Sequence, residues 1–80
     1  MSIPQEQLDN IPKVEEIYNK NHEDKIKVKR ILEWRGKLVE PDLPVSLKWN
    51  CEFEDGRKGT ICFKQDQKTN EIKNVELKYD

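Results

Sequence analysis

Residues 45–54 read VSLKWNCEFE, an unbroken alternation of apolar and polar side chains. The apolar positions are Val45, Leu47, Trp49, Cys51 and Phe53. Side chains of a β-strand point alternately to its two faces, so a period of two indicates a strand with one buried face. The segment therefore predicts a half-buried strand, and the flanking residues are interpreted around it.

A hairpin turn and a return strand follow this segment. Residues 55–59, DGRKG, have the composition of such a turn, and Ile61 and Phe63 then face inward. Cys62 lies between those two residues, on the face opposite to that of Cys51. Cysteines on opposite faces cannot reach the Cβ separation of about 3.5–4.5 Å that a disulfide needs. We therefore expect two free thiols, with Cys51 in the core and Cys62 exposed.

A second turn and a last strand complete the C-terminal half. Residues 66–70 are polar and turn-like. The apolar positions of the strand that follows are Val75, Leu77 and Tyr79. Because Ile72 is out of phase with them, we expect a β-bulge near Lys73 and Asn74.

A further strand precedes residues 45–54. The inward positions of residues 26–34 are predicted to be Ile26, Val28, Leu32 and Trp34, with Arg30 as the exception to the alternation. Arg35 and Gly36 are interpreted as a turn, and the breaker run EPDLP at residues 40–44 separates this strand from the next.

The N-terminal segment has helical periodicity. Val14, Ile17 and Tyr18 recur at the spacing of one helix face. Asn10 is a suitable N-cap and Pro12 suits the first helical turn. These signals predict a short helix over residues 12–20, ending near Asn21.

Together the elements predict one α+β domain spanning residues 1–80. A short N-terminal helix, within an acidic segment 1–24, packs on a four-stranded antiparallel meander formed by residues 25–80. The alternative is a small SH3-like β-barrel with the helix appended. No motif ties the chain to a family, but the order of elements is similar to that of cystatin-like folds and of small inhibitor or immunity proteins.

Composition limits the classes of protein. The chain has 80 residues, 39% of them charged, and a net charge of −1. It has no run of about 18 apolar residues and no apolar leader, so we expect neither a membrane span nor export. An isolated pair of cysteines is not a disulfide scaffold. These features favour a cytoplasmic protein.

The chain offers few groups for chemistry. One histidine and two cysteines aimed apart cannot supply the three or four ligands of a zinc site. The two serines have no nucleophile-elbow context, and no glycine-rich phosphate loop is present. We therefore expect no catalytic residues, no metal and no cofactor, and we interpret the protein as a non-enzyme.

Charge is concentrated in residues 25–37, the basic segment, which holds six basic residues and one acidic residue. The residues predicted to contact a partner are Lys25, Lys27, Lys29, Arg30, Trp34, Arg35 and Lys37. A basic stripe beside an aromatic residue is typical of sites for acidic proteins or nucleic acids. The structural interpretation is that these lysines protect a sheet edge or pair with Glu52 and Glu54 across strands.

The size of the predicted helix suggests an uncovered sheet face. A nine-residue helix is about 14 Å long and covers about a third of a four-stranded face, so the remainder must be closed by curling of the sheet, by Leu38, Val39 and Leu43 folding over it, or by another chain. We therefore expect a small intracellular binding protein that acts by protein–protein contact, as an inhibitor or an antitoxin- or immunity-like module. The alternative is a nucleic-acid-binding module that uses the basic segment. A homodimer through the uncovered face is a further option, and no membrane contact is expected.

Overall fold

The computed structural model of the chain describes residues 3–37 and 43–80. Its elements are α1 (Gln5–Asn21), β1 (Val28–Lys37), β2 (Val45–Phe53), β3 (Lys58–Gln65) and β4 (Ile72–Tyr79). The strands form one sheet in the order β1-β2-β3-β4, and each pairs antiparallel with the next. The predicted α+β meander is therefore confirmed. The sheet is open, so the alternative barrel was wrong.

Strands β2 and β3 follow the predicted alternation. The predicted inward side chains are buried from Leu47 to Phe53, and Val45 at the start of β2 is half-buried. Cys51 is buried and Cys62 is exposed, and both are free cysteines. The face assignment made from the sequence is thus confirmed for both thiols.

Strand β1 departs from strict alternation at two β-bulges. Its register with β2 shifts between Val28 and Arg30 and again between Ile31 and Glu33. Each shift adds one residue to β1 and so moves the following side chains to the other face. Ile31 is therefore buried, whereas Leu32, which we predicted to face inward, is 43% exposed. The inward prediction for Leu32 was wrong because the bulges change the phase of the strand.

The predicted turn at Arg35 and Gly36 was also wrong. Both residues belong to β1, where Gly36 pairs with Leu47. A Cβ atom on Gly36 would lie 2.9 Å from Leu47 Cδ2, so glycine is needed for close packing and not for a turn. Of the breaker run at residues 40–44, only residues 43 and 44 lie within the described part of the chain.

Helix α1 begins seven residues before the predicted start. Asn10, the predicted N-cap, is buried inside the helix, and Pro12 lies in its interior. The helix begins after Pro4, whose carbonyl oxygen accepts hydrogen bonds from the backbone N–H groups of Gln7 and Leu8 at 3.0 and 3.3 Å. A proline removes one helical hydrogen bond. Contacts with the sheet outweigh that loss, because the segment before Pro12 is anchored there by side chains.

Polar side chains of α1 bond to the sheet along its length. Trp49 Nε1 donates to Gln7 Oε1 at 3.0 Å, and Val28 N donates to Glu15 Oε1 at 3.1 Å. Ile26 N donates to Asn19 Oδ1 at 2.7 Å. Seventeen residues give a helix of about 25 Å, and the apolar face beneath it forms a buried core. The helix is about twice the predicted length, so it covers more of this face than the third that we expected.

The turns and the last strand agree with the sequence. Gly56 adopts φ +92° in the hairpin turn after β2, and Asp66 Oδ1 accepts hydrogen bonds from two backbone N–H groups in the turn after β3. Asn74 has φ +56° where the register of β3 with β4 shifts, which confirms the predicted bulge. The sheet therefore has irregular positions in both of its edge strands.

Candidate interaction surface

The structure divides the predicted contact residues between several places. Lys25 and Lys27 lie in the segment before β1, and Lys29 lies at the first bulge of β1. All three side chains are exposed. Lys37 is the last residue of β1, where it pairs with Ser46. These four lysines therefore extend along most of one sheet edge instead of forming a compact cluster.

The remaining three predicted residues lie on opposite faces of β1. Arg30 and Arg35 point away from α1, opposite Glu52 and Lys48 on β2. Trp34 pairs with Trp49, whose side chain is fully buried, and Trp34 itself is half-buried against the core. The structure thus brings Arg30 and Arg35 to one face and places Trp34 on the other.

Several of these cations form ion pairs. Lys27 Nζ lies 3.6 Å from Glu54 Oε2, and Arg30 Nε lies 2.8 Å from Glu52 Oε1. These are the cross-strand partners expected under the structural interpretation of the segment. Such exposed pairs contribute only about 0–1 kcal/mol each to stability. Part of the predicted positive field is therefore neutralised locally.

The face of the sheet that points away from α1, here the outer face, carries a larger positive charge. Its described basic side chains are Arg30, Arg35, Lys48, Lys58, Lys64, Lys73 and Lys78. Its described acidic side chains are Glu33, Glu52, Glu76 and Asp80, which continues the outward row of β4 beside Lys58. No element of the described chain packs on this face, so seven basic groups and four acidic groups face outward together.

A shallow depression of about 630 Å³ lies on the outer face. One row of side chains crosses it from strand to strand, formed by Arg35, Lys48, Cys62 and Glu76. Lys64 also lines the depression, and the short side chain of Ser46 leaves room beside it. Within the described residues, neither Lys48 nor Lys64 forms an ion pair. Among the described residues, the depression therefore presents two ammonium groups that form no ion pair, together with the carboxylate of Glu76.

The two thiols differ in environment. Cys62 is exposed on the depression, whereas Cys51 is 1% exposed in the core and its Sγ lies 3.7 Å from the Gly59 carbonyl oxygen. Burial, together with the nearby charge of Asp80, raises the pKa of Cys51 to about 12. Cys51 is therefore a packing residue that stays protonated at neutral pH.

Sequence reasoning missed the basic residues of β2, β3 and β4. Lys48, Lys64 and Lys78 are separated in sequence, so no charge run marks them. Each occupies an outward position in the alternation of its strand. Combining that alternation with a meander topology would have placed them on one face. The faces of residues within β2, β3 and β4 were predicted, but the strands were not combined into one sheet to show which basic residues share a face.

Neither the local chemistry of this surface nor similarity to known proteins assigns it a function. No cluster of metal-ligating side chains occurs among residues 3–37 and 43–80, and no helix there has the length and apolar character needed to cross a membrane. No protein-family model, curated protein or solved structure matches the chain.

Proposed function

We propose that this chain is a small, non-enzymatic, intracellular protein that acts by binding another protein through the outer face. It would occupy an acidic surface of its partner, as an inhibitor or an immunity-like module does. The observation that carries the proposal is the depression on this face, where Lys48 and Lys64 have no ion pair within the described residues.

The charge pattern supports an acidic partner. A face with seven basic and four acidic side chains attracts carboxylates, and such complementarity mainly accelerates and orients association. Ser46 and Cys62 have short side chains that form the floor of the depression, with Lys64 beside Ser46 and with Lys48 and Glu76 on either side of Cys62. An aspartate or glutamate on a protruding loop can reach that floor with its carboxylate near Lys48 and Lys64. This complementarity of shape and charge favours a protein partner with a protruding acidic loop.

The alternative, a nucleic-acid-binding module built on the basic segment, has weaker support. Single-stranded nucleic acids are bound by cations beside aromatic rings on which bases stack. Here Trp34 packs on the face opposite to Arg30 and Arg35. Lys27 and Arg30 are moreover paired with glutamates. The separation of ring and cations favours the protein-binding proposal.

The experiment compares two double variants that change net charge equally. Lys48→Glu with Lys64→Glu reverses charge at the depression, and Lys13→Glu with Lys20→Glu reverses charge on the exposed side of α1. Tagged wild type and both variants are used to capture proteins from extracts of the source cells. A captured protein is then purified, and its association rate is measured over a range of salt concentrations.

We expect a partner that the depression variant loses and the helix variant keeps. Its association with wild type should slow as salt increases, and the depression variant should associate about ten-fold more slowly with little salt dependence. Equal binding by both variants would contradict the assignment of the outer face. A shift of labelled RNA or DNA at low salt, abolished by Lys25→Glu with Lys29→Glu, would instead support the nucleic-acid alternative.

A further inference from the structure

Strand β4 has an open edge whose hydrogen-bonding groups can be assigned residue by residue. The Asp80 N–H donates to the Lys58 carbonyl oxygen at 3.0 Å, and the register continues through Lys78 opposite Thr60 and Glu76 opposite Cys62. In an antiparallel pair, alternate residues bond to the same neighbour. Residues 76, 78 and 80 therefore bond to β3, and residues 77 and 79 direct their N–H and C=O groups to the open side.

The two edges of the sheet are not equally suited to pairing. Strand β1 is interrupted by bulges at Lys29 and Leu32, and bulges disrupt the row of groups that a new strand would meet. Strand β4 has its irregularity at Asn74, near its start. The segment from Glu76 to Asp80 continues without a register shift. Strand β1 has a regular stretch of similar length, from Glu33 to Lys37, but Gly36 leaves its inner side without a second apolar side chain beside Trp34.

We propose that a second copy of this chain pairs antiparallel with β4 about a two-fold axis at Leu77, giving one continuous eight-stranded sheet. In this register Leu77 lies opposite Leu77 of the partner subunit, and Val75 lies opposite Tyr79 of the partner subunit. On the outer side Glu76 lies opposite Lys78 of the partner subunit, and the symmetry repeats that pair. Leu77 of each copy then exchanges two backbone hydrogen bonds with its counterpart, and Tyr79 of each copy meets Val75 beside the bulge.

Charge selects this register over its neighbours. Placing the axis at Glu76 sets that glutamate opposite its own copy, and placing it at Lys78 sets two lysines together and two acidic residues, Glu76 and Asp80, together. Like charges directly opposite each other destabilise a strand pair, and opposite charges stabilise it. An axis between two residues would set free backbone groups against residues already bonded to β3. With the axis at Leu77, each charged residue lies opposite one of opposite charge, and free backbone groups face free backbone groups.

The side chains of β4 that point towards the core also favour an axis at Leu77. Val75, Leu77 and Tyr79 are half-buried residues packed against the core, so each keeps apolar surface in contact with solvent. Pairing at Leu77 sets these three side chains against the same three of the second copy. Five paired residues bury less area than a standard interface of about 1,200–2,000 Å². The dimer should therefore be weak and should form only at high protein concentration.

The experiment uses charge swapping, measured by analytical ultracentrifugation from about 10 μM to 1 mM protein. Glu76→Lys and Lys78→Glu each create like-charge pairs at the proposed interface, and the double variant with both changes restores opposite charges in reversed order. Glu16→Lys and Lys13→Glu make the same changes of net charge at exposed positions of α1 and serve as matched controls. Circular dichroism checks that each variant is folded.

We expect wild type to dimerise, each single variant at residues 76 and 78 to weaken the dimer about ten-fold, and the double swap to restore it. Both controls should match wild type. Concentration-dependent amide shifts should be confined to residues 75–79 of β4. A monomer throughout the range would overturn the proposal, as would single variants that equal their controls. A double swap as weak as the singles would overturn the register. If one single variant does not fold, the other and the swap carry the same test.

Discussion

Replacing Gln7 by leucine tests the contact that anchors the first half of α1. Gln7 is 6% exposed and accepts a 3.0 Å hydrogen bond from the indole N–H of Trp49, which is fully buried. Leucine has a similar size but no acceptor, so the indole N–H would be buried without a partner. Such a loss costs about 1–3 kcal/mol, and the apolar gain of leucine offsets part of it. We expect Gln7→Leu to lower the free energy of unfolding by about 1–2 kcal/mol.

Urea unfolding followed by tryptophan fluorescence measures this change. With a slope of about 1 kcal/mol/M for a small domain, the midpoint should fall by about 1–2 M. Gln5→Leu is the matched control, because Gln5 is exposed on the same helix and should change stability by less than about 0.5 kcal/mol. In a Trp49→Phe background no indole N–H remains, so Gln7→Leu should cost at least about 1 kcal/mol less. Equal midpoints for the Gln7 and Gln5 variants, or an undiminished cost in that background, would refute the reasoning.

Three other expectations concern thiols, strand packing and a turn. A thiol reagent at neutral pH should modify Cys62 rapidly in the native protein and Cys51 only after unfolding, since burial raises the pKa of Cys51 to about 12; two rapidly reacting thiols would contradict this. Gly59→Ala should lower the free energy of unfolding by about 1–3 kcal/mol, because the new Cβ would lie 2.8 Å from the Lys78 carbonyl oxygen; an unchanged urea midpoint would count against that packing. Hydrogen bonds from the backbone N–H groups of Thr69 and Lys68 hold the pKa of Asp66 below 3.8. The ionised Asp66 therefore contributes to stability above pH 3.8, and this contribution is lost as the pH falls through the lowered pKa. An NMR titration midpoint of the Asp66 carboxyl at or above 3.8 would contradict this prediction.

The regular strands could be predicted because their signal is local. In β2 each residue from Val45 to Phe53 takes its face from its own position in a period of two. The same rule failed in β1, because the bulges at Lys29 and Leu32 are defined by pairing with β2. A register shift is a property of two strands, and one strand read alone does not contain it.

The start of α1 was missed for a related reason. Local preferences place Asn10 at an N-cap and Pro12 in a first turn. The structure instead uses Asn10 inside the helix, where its side-chain nitrogen lies 3.4 Å from Gln65 Oε1 on β3. Gln7 is held by Trp49 in the same way. These partners are 42 and 55 residues away in sequence, so tertiary contacts override the local signals.

The net charge of the chain did not predict the charge of its outer face, because the fold brings together residues that are distant in sequence. A net charge of −1 suggests a chain without a strong field. Helix α1 carries four acidic and two basic residues, whereas the outer face on the other side of the sheet carries seven basic and four acidic side chains. The fold therefore separates charges that the sequence mixes, and the protein has an acidic side and a basic side. Charges separated by more than about 10 Å are largely screened from one another at ordinary ionic strength. An approaching partner accordingly responds to the side that it meets, and the outer face can attract carboxylates although the chain as a whole is acidic.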